Sequence, residues 1–265
     1  MIELPPPLWI PPRPAIIRPA DARIIAREAR RINKASFLPG MFPAGIIAKK
    51  SGSLSFVGTV ADDSNLTTYS FATAGIGAAD ATRRTVVACH WYSTGTGAVT
   101  MSSATIGGVA ATIHVQASPA GTTVSPGCAI ISLLNPTGTT STIAFTLSTT
   151  AARAFIGIYR AVDESVASPF ATVSDGTLSS NALDVSLNTP AGWVMAAASI
   201  SSASAGQTFT WVGVGENYDT FSAENTSRYY TGGHNTSITP STPRTITVTD
   251  SGAAVDGVGV SMSWN

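Results

Sequence analysis

The stretch "VTMSSATIGGVAATIHVQ", residues 99–116, decides the fold class. On both sides of Gly107-Gly108, apolar residues alternate with Ser, Thr and His, which is the period of a strand with one buried face. Two glycines between such runs favour a tight turn whose central residues need positive φ. The stretch therefore predicts an antiparallel β-hairpin, with strands over 99–106 and 110–116.

The same alternation continues through residues 51–265, which contain 30 Ser and 34 Thr, and only 11% of the whole chain is charged. Short strands at close intervals, with no helix between them, are typical of an antiparallel β-sandwich or jelly roll. Turns are predicted at 136–138 and 175–176. No internal repeat is evident, so one all-β domain is expected over 51–265. The candidate strands are 54–60, 66–72, 85–92, 99–106, 110–116, 128–134, 142–147, 154–161, 182–187, 192–200, 208–213, 244–249 and 255–264.

Residues 1–50 differ in composition from this body. The segment "LPPPLWIPPRPAIIRP", residues 4–19, has seven prolines in sixteen positions, and proline is excluded from helix interiors and central strands. The prolines also interrupt any signal-peptide core, and no apolar run is long enough for a membrane span. We therefore predict an extended, polyproline-II-like arm over 1–50, with one short helix at about 19–36.

The arm is also basic. Residues 1–50 carry nine basic and three acidic residues, a net charge of +6, whereas the remainder carries −6. A helix over 19–36 places four of the basic side chains in one stripe. This stripe suits an acidic protein surface better than nucleic acid, because the flanking segments are apolar and lack aromatic residues placed for base stacking. An SH3-type groove is a weaker alternative for the prolines.

The predicted docking residues combine the apolar side chains of the arm with its basic stripe. The last four of them, in "FLPGMFPAG", are equally consistent with covering the base of the following domain. The set is Leu8, Trp9, Ile10, Ile16, Ile17, Arg23, Arg27, Arg30, Lys34, Phe37, Leu38, Met41 and Phe42.

Motifs for catalysis or metal binding are missing from the sequence. His90 and His114 lie in strand patterns without metal-ligand spacing, and no GxSxG elbow or phosphate loop is present. Cys89 and Cys128 lie in apolar runs, which favours two buried free thiols over a disulfide. The segment "ADDSN" (61–65) is interpreted as a solvated turn rather than a calcium site. No enzyme activity, cofactor or metal is expected.

One stretch has the composition of a recognition site. Residues 214–238, "VGENYDTFSAENTSRYYTGGHNTSI", mix aromatic rings with hydrogen-bonding side chains, which suits sugar rings. The alternative is a long loop folded over the sandwich edge with its tyrosines half buried. The candidate glycan-binding residues are Tyr218, Asp219, Phe221, Tyr229, Tyr230 and His234.

The arrangement "PPPLWIPPRPAIIRPA…ASFLPGMFPAG" resembles the N-terminal segments of proteins encoded among the structural genes of tailed bacteriophages and prophages. The body is similar to the Ser/Thr/Gly-rich β-sandwich modules of phage tail, neck and capsid-decorating proteins, through "TIGGVAATI", "FIGIYRAVD", "AGWVMAAASI", "FTWVGVGENYD" and "GVGVSMSW". The resemblance implies a non-enzymatic virion component at the particle surface, made in the host cytoplasm. It also implies docking to other virion proteins through residues 1–50 and symmetric copies on the particle, with host glycan as an alternative ligand and no membrane partner.

Overall fold

The computed structural model describes residues 52–121, 124–164, 166–176, 182–222, 225–252 and 254–265. Within them every regular element is a β-strand, and every strand pairing is antiparallel. The prediction of an all-β, antiparallel body is therefore confirmed. The arm and its helix lie outside the described residues.

The first half of the body contains nine strands in two sheets. Inner sheet I has the order β1-β9-β3-β7-β6, and outer sheet I has the order β2-β8-β4-β5. The strands are β1 (Ser53–Asp62), β2 (Leu66–Gly75), β3 (Arg84–Ser93), β4 (Met101–Ile106), β5 (Val109–Ala110), β6 (Thr112–Ala117), β7 (Ser125–Leu134), β8 (Thr140–Ala151) and β9 (Arg153–Val162).

The second half contains eight strands, again in two sheets. Inner sheet II has the order β10-β17-β12-β15-β14, and outer sheet II has the order β11-β16-β13. The strands are β10 (Ala171–Asp175), β11 (Ala182–Thr189), β12 (Gly192–Ser202), β13 (Phe209–Val212), β14 (Gly215–Ser222), β15 (Asn225–Ile238), β16 (Ser241–Asp250) and β17 (Ala254–Trp264).

The two halves repeat one topology. If β1–β4 are matched with β10–β13 and β6–β9 with β14–β17, both inner sheets have the same strand order, and so do the outer sheets apart from the two-residue β5. The sequence gives no sign of this repeat, because it is conserved in strand order and not in side chains. The body therefore has a repeated topology although its sequence shows no evident repeat.

The four sheets form a stack in the order outer I, inner I, inner II, outer II. Buried side chains fill the space between outer I and inner I, between the two inner sheets, and between inner II and outer II. Strands β3 and β12 are buried on both faces, whereas β8 and β11 alternate between buried and exposed positions. The unbroken apolar runs of the inner strands follow from this double coverage.

Several strand pairs join the two inner sheets. Strand β3 packs against β12, β7 against β12 and β17, β1 against β14 and β15, and β6 against β10 and β17. The contact of β1 with β14 corresponds to that of β6 with β10 in the repeated topology. The contact of β7 with β17 is far more extensive than its counterpart between β9 and β15, so the interface is not symmetric.

The strand directions give the body two distinct ends. At the entry end, β1 begins at Ser53 opposite Val162, and Trp193 pairs with Trp264. At the far end, Ser93 pairs with Ser125 and Ser201 with Arg228. Eight strands finish at the far end, namely β1, β3, β6, β8, β10, β12, β14 and β16.

The predicted strands are confirmed at all thirteen positions, with boundaries shifted by a few residues. The turn at Gly107-Gly108 is also confirmed, since φ is 62° and 78° at its two glycines. The predicted hairpin partner 110–116 is wrong in its pairing: only the short β5 pairs with β4, whereas β6 crosses to inner sheet I and pairs with β7. Four strands were missed: β5, β10, β14 and β15. Strands β14 and β15 lie within residues 214–238, for which a long loop was the alternative prediction. The loop prediction is therefore wrong.

Candidate functional site

The predicted docking surface cannot be placed on the structure. Its residues, from Leu8 to Phe42, lie outside the described part of the chain. The docking role of residues 1–50 therefore stays a prediction.

The predicted glycan-binding stretch forms the antiparallel pair β14–β15 at the edge of inner sheet II. Its three tyrosines are buried, at 8% exposure for Tyr218, 1% for Tyr229 and 2% for Tyr230. Their ring faces pack against protein and do not form an open platform. A sugar could reach these three rings only if the sheets separated.

Strand geometry explains why the two neighbouring tyrosines are both buried. Successive side chains of a strand point to opposite faces, and both faces of inner sheet II are covered. The Tyr230 ring stacks on Phe155 at 5.1 Å between the inner sheets, while the Tyr229 ring lies 5.2 Å from Phe209 towards outer sheet II. The aromatic residues of this stretch therefore belong to two different cores.

The other three candidate residues are more accessible, but they do not converge. Asp219 accepts a hydrogen bond from the Phe209 backbone N–H at 3.1 Å, and burial raises the pKa of its carboxyl to about 6. Phe221 is 52% exposed. His234 bonds to Asn217 at 2.6 Å, and burial lowers the pKa of its imidazole.

The most polar feature between the inner sheets is a hydrogen-bonded chain centred on His90. His90 Nδ1 lies 3.0 Å from Ser199 Oγ, and Nε2 lies 2.8 Å from the Tyr218 hydroxyl. Ser199 donates its only proton to the Gly127 carbonyl at 2.8 Å. Ser199 Oγ must therefore accept from Nδ1–H, which leaves Nε2 to accept from Tyr218.

These hydrogen bonds join the two halves of the body and lie buried between the inner sheets. His90 and Gly127 belong to inner sheet I, whereas Ser199 and Tyr218 belong to inner sheet II. The imidazole is fully buried, and desolvation lowers its pKa to about 3. The ring is therefore neutral, and Cys128 Sγ at 3.7 Å from Nδ1 is a buried thiol whose pKa is raised by the same desolvation. The arrangement fixes how the inner sheets pack.

Cys89 and Cys128 are both buried free thiols, as their apolar surroundings indicate. Cys128 pairs with His90 across the β3–β7 ladder, so Cys89, one residue away on β3, points to the opposite face. Cys89 packs in the core towards outer sheet I and Cys128 in the core between the inner sheets. The sheet itself keeps the two sulfurs apart.

An open cavity of about 350 Å³ lies at the entry end, beside the segment that links the halves. Its charged side chains are the ion pair of Arg84 and Glu164, in which Arg84 Nε lies 3.1 Å from Glu164 Oε2. The remaining lining residues are Ala81, Thr82, Leu134, Val166 and Ala167.

Arg84 is held in place by the second half of the body as well as by Glu164. Its guanidinium carbon lies 4.7 Å from the ring centre of Trp264, and Nη1 donates to Ser132 Oγ at 3.3 Å. Trp264 Nε1 donates to the Val166 carbonyl at 2.9 Å. Nearby, burial and the charge of Arg84 lower the pKa of His114 to about 4.

Glu164 is the group with the most unusual environment in this cavity. Its side chain is 4% exposed, and its Oε1 has no hydrogen-bond partner among the described residues. Desolvation raises the pKa of the carboxyl to about 7, against the opposing effect of Arg84. A buried acceptor without a donor lowers the stability of a folded protein, because its lost hydration is not replaced. For this reason we take the cavity as the candidate functional site of the body.

The described residues contain no group of three or more His, Cys, Asp or Glu placed to hold a metal ion. In the 61–65 segment, Asp62 Oδ1 accepts from the Ser64 backbone N–H at 2.9 Å, while Asp63 Oδ1 accepts from Ser222 Oγ at 2.8 Å. The two carboxylates thus serve the turn and the junction of the halves. No helix in the described part of the chain is long and apolar enough to cross a membrane.

Sequence reasoning missed the cavity because its parts are far apart in the chain. Arg84 starts β3, Leu134 ends β7, and Glu164 follows β9. The available signals were the adjacent pairs Arg83-Arg84 and Asp163-Glu164, which stand out in a body so poor in charge. Their meeting depends on the strand order β9-β3-β7, which no local pattern encodes.

Comparison of the chain with protein-family models, with curated proteins and with solved structures found no match in any of the three.

Proposed function

We propose that the chain is a non-enzymatic structural protein of a tailed-bacteriophage particle, attached at the tail, neck or capsid through residues 1–50. The body is then the displayed part. The proposal builds on the resemblance of "PPPLWIPPRPAIIRPA" and the body segments to phage structural proteins. A polyproline-II segment loses less conformational entropy on docking than a flexible chain does, which suits an attachment role.

We also infer that each half of the body is a jelly roll. If β6 is set aside as an added edge strand, the first half has eight strands with sheet orders β1-β9-β3-β7 and β2-β8-β4-β5. This is the alternation that results from folding one long hairpin into two Greek keys, as in viral capsid and lectin domains. The order β10-β17-β12-β15 supports the same assignment for the second half.

The observation that best supports the proposal is the direction of the strands, which gives the body two different ends. The described chain begins at Gly52, beside Glu164, at the entry end, while eight strands finish at the far end. The chain therefore enters the body at one end of its strands, which suits an attachment through the preceding residues.

The test is incorporation of variants into particles. Deletion of residues 1–36 should abolish incorporation while the far-ultraviolet circular dichroism of the purified body remains that of a β protein. In the full chain, the combined changes Arg23→Glu, Arg27→Glu, Arg30→Glu and Lys34→Glu should reduce incorporation strongly. The control is Arg244→Glu, a charge reversal at a half-buried position on β16 of the body, and should incorporate normally. Normal incorporation of the truncated chain would refute the attachment role.

A further inference from the structure

The net charge of the body is concentrated in one half of its length. Ala197 is the middle residue of β12, and the strand register divides the charged residues of the described chain into an entry half and a far half. The entry half has four acidic residues and four arginines, a net charge of 4 − 4 = 0: Asp80, Asp163, Glu164 and Glu216 with Arg83, Arg84, Arg160 and Arg244. The far half has seven acidic residues and two arginines, a net charge of 2 − 7 = −5: Asp62, Asp63, Asp175, Asp184, Asp219, Asp250 and Asp256 with Arg153 and Arg228.

Several carboxylates of the far half are accessible to solvent. Asp184 and Asp219 are exposed, Asp62 is half-buried, and the side chain of Asp63 is 27% exposed. Asp184 accepts one hydrogen bond from Thr247 Oγ1 at 2.6 Å, and a carboxylate can accept several. These groups can therefore accept further bonds from a partner at the surface.

The far half also exposes large apolar side chains. Phe221 is 52% exposed and Leu66 is 38% exposed. Asp219 and Phe221 are two positions apart on the edge strand β14, so their side chains share one face of that strand. A partner that fits this surface combines positive charge with apolar side chains.

The chain itself contains a segment with this chemistry. Residues 1–50 carry a net charge of +6 and several large apolar residues. In the helix predicted over 19–36, the basic stripe lies opposite Ile25 and Ile32. The segment precedes Gly52, which lies beside Glu164 at the entry end. If it binds an acidic far half, it joins unlike surfaces of two copies, which is a heterologous contact.

We propose that the far half of the body is the docking surface for the basic N-terminal segment of a second copy, so that copies associate head to tail. The proposal rests on the attachment role of residues 1–50 given above and names the partner of that segment. Opposite charges draw the two surfaces together and determine which ends meet, while Phe221 and Leu66 supply apolar contact. A heterologous contact repeats from copy to copy, as a ring or as an open chain.

The test is sedimentation velocity of the purified full chain with no other protein present. At about pH 8 the surface carboxyls are ionised, including Asp219, whose pKa is about 6. Wild type should form oligomers at about 0.1 M salt, where the Debye length is about 10 Å. The oligomers should dissociate at about 1 M salt, where that length is about 3 Å.

The far-half variant combines Asp62→Asn, Asp184→Asn and Asp219→Asn. Each asparagine keeps an acceptor oxygen for the donor that the aspartate now serves. Self-association should weaken about tenfold or more, because three charges of the docking surface are removed. The matched control makes the same change of net charge in the entry half and should associate like wild type; it combines Asp80→Asn, Asp163→Asn and Glu216→Gln.

A mixing experiment tests the head-to-tail geometry. The arm variant carries Arg23→Glu, Arg27→Glu, Arg30→Glu and Lys34→Glu and has an intact far half, whereas the far-half variant has an intact arm. Each variant alone should be largely monomeric. Their mixture should form one-to-one dimers, because only one intact segment can meet one intact surface. Far-ultraviolet circular dichroism of each variant checks that the fold is unchanged.

The proposal is overturned if wild type stays monomeric in the low-salt buffer, or if the entry-half control weakens association as much as the far-half variant. It is also overturned if the arm variant associates like wild type, which would assign the surface to another occupant, or if the mixture forms no dimers. Failed self-association with normal incorporation into particles would refute only this proposal. Failed incorporation of the truncated chain with intact self-association of the full chain would refute only the particle role.

Discussion

His90 is fully buried between the inner sheets, and its replacement by glutamine should change how stability depends on pH. Burial lowers the pKa of the imidazole from 6.5 to about 3. The folded chain therefore keeps His90 neutral below pH 6.5, whereas the unfolded chain protonates it. The unfolded state binds more protons in that window, so stability is lost as pH falls from 6.5 towards 3. Glutamine keeps a donor and an acceptor for Ser199 and Tyr218 but does not titrate.

The size of the effect follows from the difference between the two pKa values. One pKa unit corresponds to about 1.36 kcal/mol. Because of His90, the free energy of unfolding of wild type should therefore fall by about 3 kcal/mol between roughly pH 8 and pH 4.5. Glu164 acts in the opposite sense: its raised pKa, about 7, gives stability that is present below 4.5 and lost as pH rises. Both chains contain Glu164, so its contribution cancels in the difference between them.

The assay is urea unfolding of wild type and His90→Gln, followed by tryptophan fluorescence across this pH range. At about pH 8 the variant should be less stable by roughly 1–2 kcal/mol, because glutamine fits the imidazole site imperfectly. At about pH 4.5 the variant should instead be more stable than wild type by roughly 1–2 kcal/mol in the free energy of unfolding. The half-buried His234→Gln is the control and should show a smaller change. Parallel stability curves for wild type and His90→Gln would refute the buried, neutral imidazole.

Two further predictions concern the cores on either side of inner sheet I. Gly127→Ala places a Cβ within the indole of Trp91, its cross-strand partner, and should destabilise the fold by about 3 kcal/mol or more in chemical denaturation. Gly58→Ala, which meets no atom within 4 Å, is the control and should be close to neutral; similar losses at both sites would contradict the packing. Cys89 and Cys128 should both react with a thiol-specific dye only after unfolding, since both are free and buried. Rapid labelling of the folded chain, or fewer than two thiols after unfolding, would contradict this.

The strands were predictable where one face of the sheet is buried and the other is exposed to solvent. Residues 182–187, "ALDVSL", alternate strictly, and the structure places Leu183, Val185 and Leu187 in the cores against inner sheet II. Strands β14 and β15 were missed because tyrosines, glycines and charged residues mask the alternation. Tyr218 and Tyr230 are buried by the opposite half of the body and Tyr229 by outer sheet II, which local sequence does not reveal.

The candidate site was less predictable than the fold. The aromatic residues around Tyr218 looked like a surface for sugars, but these rings pack between sheets. His90, which lies in a strand pattern without metal-ligand spacing, is buried and hydrogen-bonded between the inner sheets. The cavity at Arg84 and Glu164 was not foreseen, because its residues come from the ends of β3 and β7 and from the segments before β3 and after β9, which are neighbours only in the folded sheet.

Local patterns were enough to predict that this body is antiparallel β-structure, that the chain turns at Gly107-Gly108, and that both thiols are buried. These properties are local, since side-chain alternation and turn residues record the backbone conformation of a few neighbouring positions. The packing of two topologically equal halves through their inner sheets became visible only in the folded protein. Alternation records that a strand face is buried but not what covers it, and the covering surface here comes from residues about a hundred positions away.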